Sequence, residues 1–355
     1  MPSGCHLDLD RVARELVLEN IKTALRGGRI RLAEELRTLA ATQGAMGLGE
    51  FLEQSGRDLD EVYDAGGWTV LKRAAGLLPG PAPTGEGDLS GKLRLLTHID
   101  DPERLDLHKR TALALLPNPN TSPLAQDSSV ATLAALPTTG LDRRRLLMLG
   151  YQLFHATGDR FGPDAVLRRF AEQPQVCAEL AELSDLLVDR VSLASLHPLP
   201  EPQWPLALHR RYSRREILTA VGRWNESQKP EAREGMVRLA DVKTEIMFVT
   251  LDKSHRRFSP TTRYEDYAIS DRIFHWQSQS GTRPESEAGR RYIEQRENGW
   301  RFLLFVRPTP QDAFTYLGPV RYRSHAGSRP MSITWELDVP IPGTLLQQYA
   351  TLATG

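Results

Sequence analysis

The side chains best suited to chemistry cluster between Phe258 and Ser280, in the run FSPTTRYEDYAISDRIFHWQSQS. Phe258, Tyr264, Tyr267, Phe274 and Trp276 stand there among hydroxyls, amides, acids and arginines. Buried polar groups need partners or they cost stability, so few plain cores have this mixture. Along FHWQSQ, a period of two puts Phe274, Trp276 and Ser278 on one face of a strand. His275, Gln277 and Gln279 fall on the other. Pro260 blocks a helix, and Ser259, Thr261 and Thr262 can bond nearby backbone, so the first half reads as a loop. A polar loop beside such a strand suits a site that reads a nucleobase. It suits equally a well-bonded corner of a barrel, and the residues alone leave both readings open.

The rest of the chain must position this stretch. Its 355 residues are enough for two or three domains, each with its own core. Hydrophobic content of 40% and charged content of 25% are those of an ordinary soluble protein. No apolar run approaches the roughly 20 residues that span a bilayer, and no secretion signal is visible. Cys5 and Cys177 form no metal-ligand spacing and read as idle thiols in a reducing cytoplasm. The net charge of zero hides an asymmetry: residues 1–200 carry 22 basic and 27 acidic side chains, residues 201–355 carry 23 and 18. The second half is therefore the better match to an anionic partner, and 20 of its 23 cations are arginine, whose planar fork suits phosphate and guanine.

Several chemistries lack their signature. There is no GxxxxGK[ST] phosphate loop, no HxK pair at His108-Lys109, no HExxH and no paired CxxC. Asp241 and Glu245 precede Lys253 without the close Glu-x-Lys arrangement of a metal-dependent restriction nuclease. The expectation is a chain that is not an enzyme by itself and needs no cofactor or metal.

Apolar periodicity predicts helices over residues 9–25 and 30–41, separated by Gly27-Gly28, and shorter ones near 49–54, 59–64, 68–77 and 89–96. Pro79 to Gly87 reads as a linker, with a sub-boundary at 79–88. Further helices are expected over 102–116, 141–155, 164–170 and 175–191, where Arg143-Arg144-Arg145 could touch phosphates or, more ordinarily, form a solvated face. The four prolines between Leu196 and His209 separate two compositions, giving a helical region 1–198 and a second domain 205–355. Ser213 and Glu216 form a capping box for a helix over 214–221. Strands follow at 245–251, 273–279, 301–306, 313–322 and 332–337, with a short helix near 286–295. The fold class read from this is α+β: an all-helical N-terminal region, then a mostly β barrel domain.

The runs YSRREILTAVG, KTEIMFVTLDKS, FSPTTRYEDYAIS, FHWQSQS, GRRYI, LLFVR, YLGPVRY and RPMSITWELDVPIP resemble the domain of unknown function 3427 family over about residues 205–345. That prokaryotic domain usually lies C-terminal to a DEAD/DEAH helicase, often behind a phospholipase-D-like nuclease. RLAEELRTLA, FLEQSGRDLDEVY, WTVLKRAAGLL and LLTHIDDPERL are similar to the helical segment that precedes it. SauUSI-like modification-dependent restriction proteins share this layout, and the resemblance implies an SRA or PUA-like barrel that reads modified cytosine.

The resemblance implies a target-recognition region of a restriction or antiviral defence system. Its partners would be double-stranded, modified DNA and a helicase motor and nuclease, in cis or in trans. A flipped base would be stacked on Tyr264, Tyr267 or Trp276, with its edge read by Asp266, Gln277 and Gln279. Lys253, Arg256, Arg257 and Arg263 would meet phosphates from a loop. For each residue a plainer role competes: core packing for the aromatics, a solvated strand face for the amides, ordinary surface for the cations. Three other functions also compete: a protein-docking module without DNA specificity, a reader of backbone phosphorothioate, and a free-standing enzyme with only Asp266, His255 and His275 to offer.

Overall fold

The computed structural model describes residues 11–117, 140–154, 162–191, 199–224, 235–252 and 266–353, with side chains described only between residues 27 and 349. It is an α+β protein, helical in its N-terminal part and sheet-bearing in its C-terminal part. Two compact units emerge. One comprises residues 1–97, 108–136 and 167–189; the other comprises 98–107, 137–166 and 190–355.

The first unit is helical. Its first helix, Arg11–Gln43, runs straight through Gly27-Gly28, where the sequence predicts a stop. Helical glycine costs only about 1 kcal/mol each, and neither glycine takes a left-handed φ. Tertiary anchors beyond them offset that cost: Leu36 is fully buried, Arg29 Nε donates to Ala65 O at 2.6 Å, and Arg37 Nε donates to Ala75 O at 3.0 Å. The helix Trp68–Ala74 begins after Gly67 with no side-chain cap of its own. Glu179 of helix Pro174–Asp189 takes that part, accepting from the Trp68 and Thr69 amides, both at 2.9 Å, and from Ser90 Oγ at 2.7 Å. Cys177 is buried, donates to Phe170 O, and its thiol is pushed up to about 12 by burial, so it is inert. Cys5 lies outside the described residues.

The second unit is built on one mixed sheet of eight strands among the described residues: β1 Arg211–Tyr212, β2 Met236–Leu239, β3 Thr244–Thr250, β4 Tyr267–Ala268, β5 Ile273–Gln277, β6 Arg301–Arg307, β7 Phe314–Ala326 and β8 Ser332–Leu337. The order is β2-β3-β6-β7-β8-β5-β4, with β1 paired to β7. Only β3 and β6 run parallel; the remaining pairs are antiparallel. The expected barrel is not closed. β2 and β4 end the path without pairing to each other, so the sheet keeps two edges. The strands absent from the sequence reading are β1, β2 and β4, none longer than four residues and too short to show a period.

The two ends of this sheet are buried differently. Every residue of β3 is buried, whereas β5 alternates half-buried and buried. One face is covered along the whole sheet by a core that includes Phe274, Trp276, Tyr292, Phe302, Leu304, Ile333, Trp335 and Tyr349. On the opposite face of β3, β6 and the start of β7, a second aromatic layer forms. Phe248 meets Phe314 edge-on at 5.0 Å, and Phe305 stacks on Tyr316 at 4.4 Å. Arg214 and Arg307 lie 3.9 Å and 4.4 Å over Phe248 and Phe314. Among the described residues that second layer is not seen over β8, β5 and β4.

A buried ionic cluster braces this unit. Ser213 and Glu216 make both bonds of the expected capping box for helix Arg214–Ala220. The Glu216 carboxylate also pairs with Arg104, and with His98 Nε2 at 2.8 Å. Burial pushes the Glu216 carboxyl up, but Arg104, His98 and the Ser213 amide outweigh it and hold it well below the usual carboxylate range. Of the arginine triplet only Arg143 is exposed, so the expected solvated face holds for one residue of three. Arg145 is buried and pairs with Glu103 and Asp142, while Arg144 donates to Ala220 O at 2.7 Å.

Candidate nucleic-acid interface

On the β7–β8–β5–β4 side of the sheet, the face opposite the core is half-buried to exposed, an open face among the described residues. β4 and β5 form a short hairpin whose turn is organised by Ser270, whose Oγ accepts from the Arg272 and Ile273 amides at 3.2 and 3.1 Å. At the other end Asp266 Oδ1 accepts from the Gln277 amide at 2.9 Å, fixing the register of Tyr267 against His275. A one-residue slip would turn every side chain to the wrong face, so this bond decides which residues are displayed. The cross-strand pair Tyr267 and His275 is stacked, with ring centroids 4.8 Å apart and planes within 19°. Tyr267 is 40% exposed.

Continuing across the sheet, His275 lies opposite Thr334 of β8, and Thr334 opposite Ser324 of β7. The β7–β8 register shifts between Tyr322 and Ser324, so Arg323 is the extra residue of a bulge in the same row. Bulges commonly re-aim a side chain. Arg323 is exposed. In the next row Glu336 stands between Arg321 and Ile273, and Arg321 is engaged by Asp338 at 2.8 Å.

The residues expected to form a site do not all meet here. Trp276 belongs to the covered face: it is 6% exposed, edge-on to Tyr292 at 5.6 Å and near Trp335 at 6.4 Å. Asp266 and Tyr267 lie at the open hairpin, and Gln277 is half-buried on β5 beside His275. Gln279 is exposed beyond the strand, in the turn where its carbonyl accepts from the Thr282 amide. Lys253, His255, Arg256, Arg257, Arg263 and Tyr264 lie outside the described residues, in the segment that joins Asp252 to Asp266. Thr334 and Arg323 were missed as candidates, and His275 was considered only for a free-standing enzyme. The period-two pattern does place His275 on the open face, but its partners depend on strand pairing that no local pattern reveals.

Glu245 is accounted for by structure. It is buried on β3 and its Oε1 accepts from Arg291 Nε at 2.6 Å, while burial keeps its carboxyl above the usual range despite that arginine. Among the described residues no three His, Cys, Asp or Glu side chains converge as metal ligands, and no helix is long and apolar enough to cross a membrane.

No curated protein matches the chain. Residues 206–349, which carry all eight described strands, match the family model described as domain of unknown function (DUF3427).

Proposed function

We propose that this chain is the DNA-binding, target-recognition part of a helicase-linked restriction or defence system, and that it reads a modified, flipped base, most simply a modified cytosine. The observation that carries this reading is the asymmetry of the sheet. Among the described residues this end of the sheet leaves a stacked aromatic pair partly exposed, where a base could add to the stack. The uncovered face ends in β4, the strand entered directly from the segment that carries Lys253, Arg256, Arg257 and Arg263. Phosphate contacts would position the duplex and the aromatics would hold the base. The kinship with SRA and PUA-like readers belongs to this proposal, on an open sheet in place of a barrel. Motor and nuclease would be supplied by a partner or by other parts of a longer protein, and the chain itself would hydrolyse neither ATP nor DNA.

Gel shifts with plain, cytosine-methylated, hydroxymethylated and phosphorothioate duplexes test the reading. Preference for one cytosine-modified duplex is expected. Preference for phosphorothioate moves the specificity to the backbone, and binding to none of the four leaves the docking role.

A further inference from the structure

We infer that the row Tyr267, His275, Thr334 and Arg323 is a binding site for a short unstacked single strand, one base on the tyrosine–histidine stack and the phosphate of a neighbouring nucleotide on Arg323. The inference rests on the nucleic-acid reading above and adds Thr334 and Arg323 to the stacked pair that reading uses.

Four observations carry it. First, the two rings are already parallel and held in register by Asp266, so a base added to the stack meets a preformed surface. Stacking on aromatic side chains tolerates any base, because every base has a π face. Second, β4 is the terminal strand of the sheet, so no further described strand lies beyond Tyr267. Third, Thr334 stands in register next to His275, half-buried, and its hydroxyl can both donate and accept. Fourth, Arg323 is set out of register by the bulge, is exposed, and forms no ion pair among the described residues. At about 4.8 Å per strand, the row from β7 to β4 is about 14 Å wide. The adjacent row carries Glu336 and the already neutralised Arg321, so a phosphate is favoured beside Arg323 and disfavoured one row away.

A plain cross-strand pair that merely steadies a two-residue strand would also bring Tyr267 to His275. The experiment therefore uses readouts that strand stability does not move. The probe is a short, unmodified oligothymidylate, titrated into the full chain by fluorescence anisotropy over a range of salt. Tyr267→Leu, which keeps an apolar side chain but removes the π face, is expected to weaken binding about fivefold to a hundredfold. Tyr267→Phe is expected to stay within about twofold of wild type. Arg323→Ala is expected to lower the slope of log affinity against log salt by about 0.7, as when one single-strand phosphate is no longer neutralised. Its exposure keeps it decisive where Tyr267→Leu disturbs the edge strand, and thermal melts are run beside each titration.

Wild-type affinity and salt slope in both Tyr267→Leu and Arg323→Ala would overturn the site, as would no binding of oligothymidylate by the wild type. The two proposals separate cleanly. Expected losses on oligothymidylate without any preference among the duplexes would sink modified-base reading and leave this site standing. Duplex preference that survives both substitutions would do the reverse.

Discussion

Replacing Arg104 tests whether the second unit is braced as described. Arg104 and Glu216 are both fully buried, and Arg104 Nε and Nη1 have no hydrogen-bond partner among the described residues. The guanidinium lies 5.0 Å over the Tyr212 ring, so Glu216 is its main compensation for lost hydration. Breaking a buried pair by removing one partner costs about 3–5 kcal/mol, because the other charge is left in place. Glu216 would still accept from the Ser213 amide and face His98, so the low end, about 3 kcal/mol, is expected for Arg104→Met. For a unit of this size that corresponds to a fall of about 6–12 °C in Tm, followed by tryptophan fluorescence in the full chain. The double variant Arg104→Met/Glu216→Gln should recover much of the loss, since neither buried charge remains. The pH dependence has a definite sign. The Glu216 carboxyl is depressed in the folded state, so its contribution is present above the ordinary value of about 4.3 and is lost as pH falls below it. The gap between wild type and Arg104→Met should therefore narrow in acid. A loss under about 1 kcal/mol at neutral pH, or a gap that widens in acid, would refute the reasoning.

Two further outcomes are expected. Changing Arg256 and Arg257 to Ala should weaken every duplex about equally and reduce the salt slope by about 0.9 for each phosphate no longer neutralised, read by titration at several salt concentrations. Trp276→Ala should cost about 3–5 kcal/mol in a denaturant melt, as expected of a core aromatic, while Trp276→Phe should fold normally and keep wild-type DNA preference. A Trp276→Phe variant that is stable but has lost preference would return that residue to the reading surface.

What the sequence disclosed and what it hid divide along the range of the interactions. The capping box at Ser213 and Glu216 is local, and both of its bonds form where the spacing predicts. The further role of the same Glu216, with Arg104 and His98 more than a hundred residues earlier, has no local signature. The alternation along FHWQSQ correctly sorts Phe274 and Trp276 from His275 and Gln277, because a pleated strand fixes side-chain direction residue by residue. Whether such strands close into a barrel depends on pairing between the two ends of the path, and a two-residue strand such as β4 leaves too little pattern to show that it is an edge. Trp276 illustrates the limit at the site. Its chemistry suits stacking on a base as well as packing against Tyr292, and only the three-dimensional arrangement sets it on the covered face. Gly27-Gly28 marks the opposite failure, a strong local stop overridden by anchors that lie beyond it.

The central claim, that DNA is held on the uncovered end of the sheet, is tested most directly by hydrogen–deuterium exchange of the full chain with and without a cytosine-modified duplex. Slowed exchange is expected in peptides covering Asp266 to Gln277 and Arg321 to Glu336, with the buried strands β3 and β6 unchanged. Slowing confined to the helical unit, or none in the β4–β5 hairpin when the duplex is bound, would contradict it.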